Sequence, residues 1–170
     1  MSWLNTIGEL AERYGVNAAQ GSGNTHDDFQ RVVQSAPQDV VSNGIAHMFR
    51  SDETPAFPDM VASLFGQSNQ NQKAGLLSQL LSSVAPAALA GLPGLSGLAG
   101  KPGGAGSDPA VLANQLSPEQ VQQIAAHAEG HDPSIIDRVS GFYSEHPEVM
   151  KAVGGMALGV AMRHMFRRAA

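Results

Sequence analysis

Apolar residues recur at three- and four-residue spacing along most of this chain, and that period predicts a succession of short amphipathic helices. In 1–16, Trp3, Leu4, Ile7, Leu10, Ala11 and Tyr14 share one side while Glu9, Glu12 and Arg13 interrupt it. In 25–34, Thr25 with Asp28 three residues on reads as a cap, and Phe29, Val32 and Val33 supply the apolar face. Pro37 suits the first turn of a helix over 37–49, which carries Val40, Val41, Ile45, Met48 and Phe49 until SDETPAFP breaks it. A short helix over 59–65 is expected to close at Gly66 in the positive-φ conformation. Residues 73–89 place Leu76, Leu77, Leu80, Leu81 and Val84 on one side, with Pro86 a kink or boundary.

Two polar or glycine-dense stretches punctuate this series. NAAQGSGN at 17–24 is a linker behind the first helix, and GLPGLSGLAGKPGGAG at 91–106 disfavours any interior helix or strand. Beyond it, Ser117-Pro118-Glu119-Gln120 is the clearest helix start in the chain: a Ser cap, Pro at the first position and Gln three residues after the cap. Val121, Ile124, Ala125 and Ala128 follow as a buried face. Asp132-Pro133 repeats the device ahead of Ile135, Ile136, Val139, Phe142 and Tyr143, and His146-Pro147-Glu148 opens a last helix expected to run unbroken over 147–168. The fold class expected is all-α, a multi-helix bundle of short helices with a Gly/Pro-rich connector. Its segments are an amphipathic N-terminal helix 1–16, a helical region 24–90, a linker 91–116 and a three-helix C-terminal unit 117–168.

The last helix is the most informative stretch. Its apolar part, 149–162, is rich in small residues and ends at Arg163, His164, Arg167 and Arg168. Gly155 and Gly159 lie four apart with Ala152 behind them, a shallow strip where another backbone can come near. Val149, Val153, Met156, Val160 and Phe166 fall along another face and read as core. Ala152, Gly155 and Gly159, with Trp3, Ile7 and Tyr14 on the first helix, are therefore the candidate interaction residues. The tetrapeptide His-Met-Phe-Arg occurs at 47–50 and again at 164–167, but the surroundings do not align and no period emerges, so it reads as coincidence between two apolar helices with basic ends.

Composition sharpens this picture. Aromatics are only 5% while Gly and Pro together number 29, so the core is expected to be aliphatic and Met-filled. The absence of Cys removes disulfides, thiolate metal sites and cysteine nucleophiles, and fits a reducing compartment; a cytoplasmic location is expected. The net charge of −5 is uneven: 1–60 hold three basic and eight acidic residues, 117–146 one and five, and 147–170 four and one. An acidic body with a short basic end disfavours nucleic acid as a partner, since phosphate recognition needs a basic field over a wide face. The terminal cations also suit a helix C-terminus. No basic n-region precedes an apolar block, so no signal peptide is expected, and no run reaches the ~18 to 20 apolar residues that span a bilayer.

Candidate chemistry is sparse. His127 and His131 are four apart with Glu129 between them, which superficially suits a metal, but Gly130 and Pro133 suggest that the helix ends between them, and HAEGH is not H-E-x-x-H. His26, Asp27 and Asp28 suit capping and dipole compensation. The Gly-rich segment is no phosphate loop, and no serine lies in a G-x-S-x-G elbow. No catalytic residue, metal or cofactor is assigned.

The stretch FPDMVASLFGQSNQNQKAGLLSQLLSSVAPAAL, 57–89, resembles bacterial YidB-like proteins, a family of uncharacterised function with a small helical domain and Leu/Gly-rich stretches. The resemblance implies a bacterial, all-α, non-enzymatic protein; it brings no catalytic residues, and 117–168 lie beyond it. The function expected is a helical interaction or assembly protein that forms a homo-oligomer, or binds a protein partner, through Gly- and Met-rich helix faces. Two alternatives are a peripheral membrane protein using the first and last helices, and metal binding at His127/His131.

Overall fold

The computed structural model describes residues 3–16, 25–96 and 108–169. All regular structure among these residues is helical: α1 (Trp3–Val16), α2 (Thr25–Ser35), α3 (Gln38–Arg50), α4 (Phe57–Gln67), α5 (Gln70–Ser82), α6 (Pro86–Ala90), α7 (Pro109–Gln115), α8 (Pro118–His131), α9 (Ile135–Ser144), a 3-10 helix (Pro147–Val153) and α10 (Gly155–Ala169). The fold is all-α, a multi-helix bundle of short helices. Contacts divide it into two units, Met1–Ala56 with Ser140–Ala170, and Phe57–Val139. Residues 117–168, read from sequence as one unit, are thus shared between the two.

In the first unit α10 packs most extensively on α3, and it also touches α1, α2 and the 3-10 helix. The apolar faces of α2 and α3 bury Phe29, Val32, Val41, Ile45, Met48 and Phe49, and α10 adds Ala157, Leu158, Ala161, Met162 and Met165. Full burial of each large side chain stabilises by about 1.5–3 kcal/mol, which is why these faces, not helix propensity, hold the unit together. The chain does not form one helix over 147–168. Gly154 takes φ +85° and ψ 160°, a conformation reserved almost wholly for glycine, and it separates the 3-10 turn from α10.

In the second unit α4 packs on α8, and α5 packs on α7 and α8. Capping boxes begin both α5 and α8: Asn69 with Gln72, and Ser117 with Gln120, in each case with the side-chain oxygen and amide satisfying reciprocal backbone N–H groups. The second box is the one the sequence spells out; the first lies in QSNQNQ, 67–72, which reads as either a solvated stretch or a helix start, and is the helix start. Gly66 does not close α4 with a positive φ, because the helix continues through it to Gln67. The expected linker 91–116 contains α7, whose first turn is capped by Asp108 accepting from the Ala110 N–H at 2.9 Å. Leu112, Ala113 and Leu116 are buried, and Leu95 is buried in the turns after α6. The Gly-rich run at 97–107 and the linker at 17–24 lie outside the described residues.

Candidate functional site

At Gly44, α10 comes close against α3. A Cβ there would stand 2.5 Å from Met165 Cε, 2.6 Å from Met165 Cγ and 3.1 Å from the Ala161 carbonyl oxygen. The missing side chain is what lets α10 seat against α3, with the thioether of Met165 filling the gap. The next turn along, the imidazoles of His47 and His164 meet as a parallel stack, centroids 4.1 Å apart and planes within 16°.

These contacts bring the two His-Met-Phe-Arg segments together. Both show the same pattern: Met48 and Met165 are wholly buried, Phe49 and Phe166 are buried, and Arg50 and Arg167 are exposed. Equivalent positions of the two copies face each other at the histidines. The echo that reads as coincidence in sequence is therefore a contact in the fold, although nothing in the linear sequence says that two identical helix ends should meet.

A cleft of about 90 Å³ opens beside the stack, lined by His47, Ser51, Glu53, Val160, Arg163, His164 and Arg167. Val160, Arg163, His164 and Arg167 recur at helical spacing and so share one side of α10. The Arg163 guanidinium donates to the Glu53 carboxylate, an ion pair at the cleft's edge. Burial is the first cause that holds the His164 pKa below its ordinary value; His47, Arg168 and Arg167 push the same way by repelling a second positive charge.

The candidate interaction residues are placed as follows. Ala152 belongs to the 3-10 helix and Gly155 opens α10, so they do not share one continuous helix with Gly159. A Cβ on Gly155 would make ordinary contact with Thr25 at 3.5–3.6 Å, whereas one on Gly159 would meet no described atom within 4 Å. Met156, expected in the core, is 76% exposed, while Val149, Val160 and Phe166 are buried as expected. On α1, Ile7 is buried and Trp3 half-buried, and the helix packs against α2 and α10 of its own chain. The side chain of Tyr14 lies outside the described ones.

His127 and His131 both lie within α8, which runs past Gly130 and does not end between them. Their rings meet edge-on with centroids 4.9 Å apart. Among the described residues no group of three or more His, Asp or Glu side chains is arranged to hold a metal ion. Asp132 is occupied instead by Ser134: hydrogen bonds from the Ser134 hydroxyl at 2.6 Å and N–H at 3.1 Å hold its carboxyl below its ordinary pKa. No described helix is long and apolar enough to cross a membrane.

A scan against protein-family models and searches for similar curated proteins and solved structures find no match.

Proposed function

We propose that this chain is a non-enzymatic helical interaction protein that self-associates through the solvent-facing side of α10. The observation that carries this reading is the exposed side chain of Met156, 76% accessible, one turn from Gly159, where no described atom stands within 4 Å of a Cβ. A second copy is the favoured occupant because the patch is self-complementary. A two-fold pairing sets the projecting Met156 of each copy into the space left by glycine on the other, as an isologous interface requires. The YidB-like kinship suggested by 57–89, a bacterial source and a cytoplasmic location belong to the same proposal.

Light scattering behind size exclusion tests it. The expected mass is a dimer or larger, and both Met156→Glu and Gly159→Leu should return the monomer. Because no described atom lies within 4 Å of a Cβ at Gly159, that variant should melt no lower than Met156→Glu. A wild-type monomer at every concentration, or an oligomer indifferent to both changes, would end this reading.

A second reading rests on α1, where Leu4 is 51% exposed and Trp3 half-buried, and on Arg167 and Arg168, exposed on the last turn of α10, which packs on α1. Apolar side chains near a basic helix end suit an anionic membrane surface. Salt-sensitive flotation with anionic vesicles is its signature; unchanged flotation at high salt would count against it.

A further inference from the structure

We propose that the cleft beside the His47 and His164 stack binds a phosphate group in its dianionic form. The cleft is a concave site with an excess of donors. Among the described residues its lining holds two guanidinium groups, two imidazoles and a serine hydroxyl, but one carboxylate, Glu53. That carboxylate is already engaged by Arg163, and Arg168 adds positive potential from the same last turn of α10. Arg167 is exposed, so its planar donor fork is open to a ligand.

The geometry favours a tetrahedral oxyanion over a carboxylate. Donors reach the cleft from two segments: His47 and Ser51 from the end of α3, and Arg163, His164 and Arg167 from α10. Three or more oxygens pointing in different directions can accept from both sides, whereas a carboxylate presents two in one plane. The volume, about 90 Å³, amounts to roughly three water molecules and suits one small ion. The chain as a whole is acidic, at net charge −5, so the basic lining is a local departure from the prevailing field.

Protons couple to this binding. A dianion beside His164 favours its imidazolium against the burial and like charges that disfavour it, while the phosphate's own second protonation, at about pH 6 for a monoester, removes the dianion, so binding passes through a maximum and weakens again at lower pH. The groups facing that change are His47 from α3, Glu53 from the following loop, and Arg163, Arg167 and Arg168 from α10 itself. A phosphate free in solution and a phosphate on a lipid headgroup share this chemistry.

The test is a titration of the full chain with inorganic phosphate at constant ionic strength, read from the histidine ring resonances by NMR. A parallel arm is sedimentation with phosphatidic-acid vesicles against phosphatidylcholine vesicles. The expected result is a saturable shift of the His47 and His164 rings that Arg167→Gln weakens about tenfold and Arg167→Lys partly restores. The exposed Arg167 position makes loss of folding an implausible source of such a change, and circular dichroism of the variant checks it. Vesicle capture that depends on Arg167 without a shift by inorganic phosphate assigns the site to a lipid phosphate; the reverse assigns it to a soluble one. Ring shifts that never saturate together with no selective vesicle capture, or binding that Arg167→Gln leaves intact, would overturn the proposal.

Discussion

The imidazole of His47 lies flat on that of His164, centroids 4.1 Å apart, and this stack joins the ends of the two helices that pack most extensively in the first unit. Stacking suits neutral rings; a second proton would set two cations face to face beside Arg167 and Arg168. Burial, then His47 and the arginines, hold the folded-state pKa of His164 below its unfolded value. As pH falls, the unfolded chain binds its proton first, so this contribution to stability is complete above the unfolded pKa and declines as pH drops toward the folded one. Melting temperature should therefore fall between about pH 7.5 and pH 6, above the main carboxylate range. His164→Gln should flatten the slope, and an unchanged slope would place the titration elsewhere.

Gly44 and Gly159 should respond in opposite ways to the same substitution. At Gly44 an added methyl meets Met165 and the Ala161 carbonyl, so Gly44→Ala should cost about 1–3 kcal/mol in urea unfolding. At Gly159, inside α10, no described atom stands in the way of a Cβ, and alanine should stabilise by about 0.5–1 kcal/mol through its better helix propensity. Equal effects at both sites would contradict the packing of α3 on α10.

Gly154 is the break between the 3-10 helix and α10. With φ +85° and ψ 160° it occupies a region that a Cβ makes strained, and Gly154→Ala should cost about 1–3 kcal/mol. If the last helix were continuous instead, the same change would raise stability and helical ellipticity together.

Leu112 anchors α7 in the second unit and is buried. Leu112→Ala should cost about 2–5 kcal/mol, as expected when a core leucine leaves a cavity. Amide exchange supplies a second measure: the N–H groups of 110–115 should be protected. Exchange there at the rate of an unstructured chain would show that the segment is a linker after all.

Much of the helical order was written in the sequence because local signals and burial agree there. At Ser117–Gln120 a cap, an N1 proline and an apolar face coincide, and α8 begins where they do. The segment 109–115 shows the opposite case. Its Gly-rich approach obscured a helix that needs only the Asp108 cap, Pro109 and burial of Leu112 and Leu116. Gly66 looked like a helix stop, but glycine only permits a positive φ and does not impose one.

The all-α class, the acidic body, the basic end and most helix positions follow from periodicity, capping and charge, which are properties of neighbours along the chain. Which glycine receives another helix was decided only by tertiary structure. Gly155 and Gly159 had the spacing of a packing strip, yet Met165 seats at Gly44, because close approach depends on what stands opposite and not on the interval within one helix. The meeting of His47 with His164 is of the same kind. Two copies of one tetrapeptide, 117 residues apart, acquire a shared cleft only when α3 and α10 pack, and no local rule along the chain encodes that encounter.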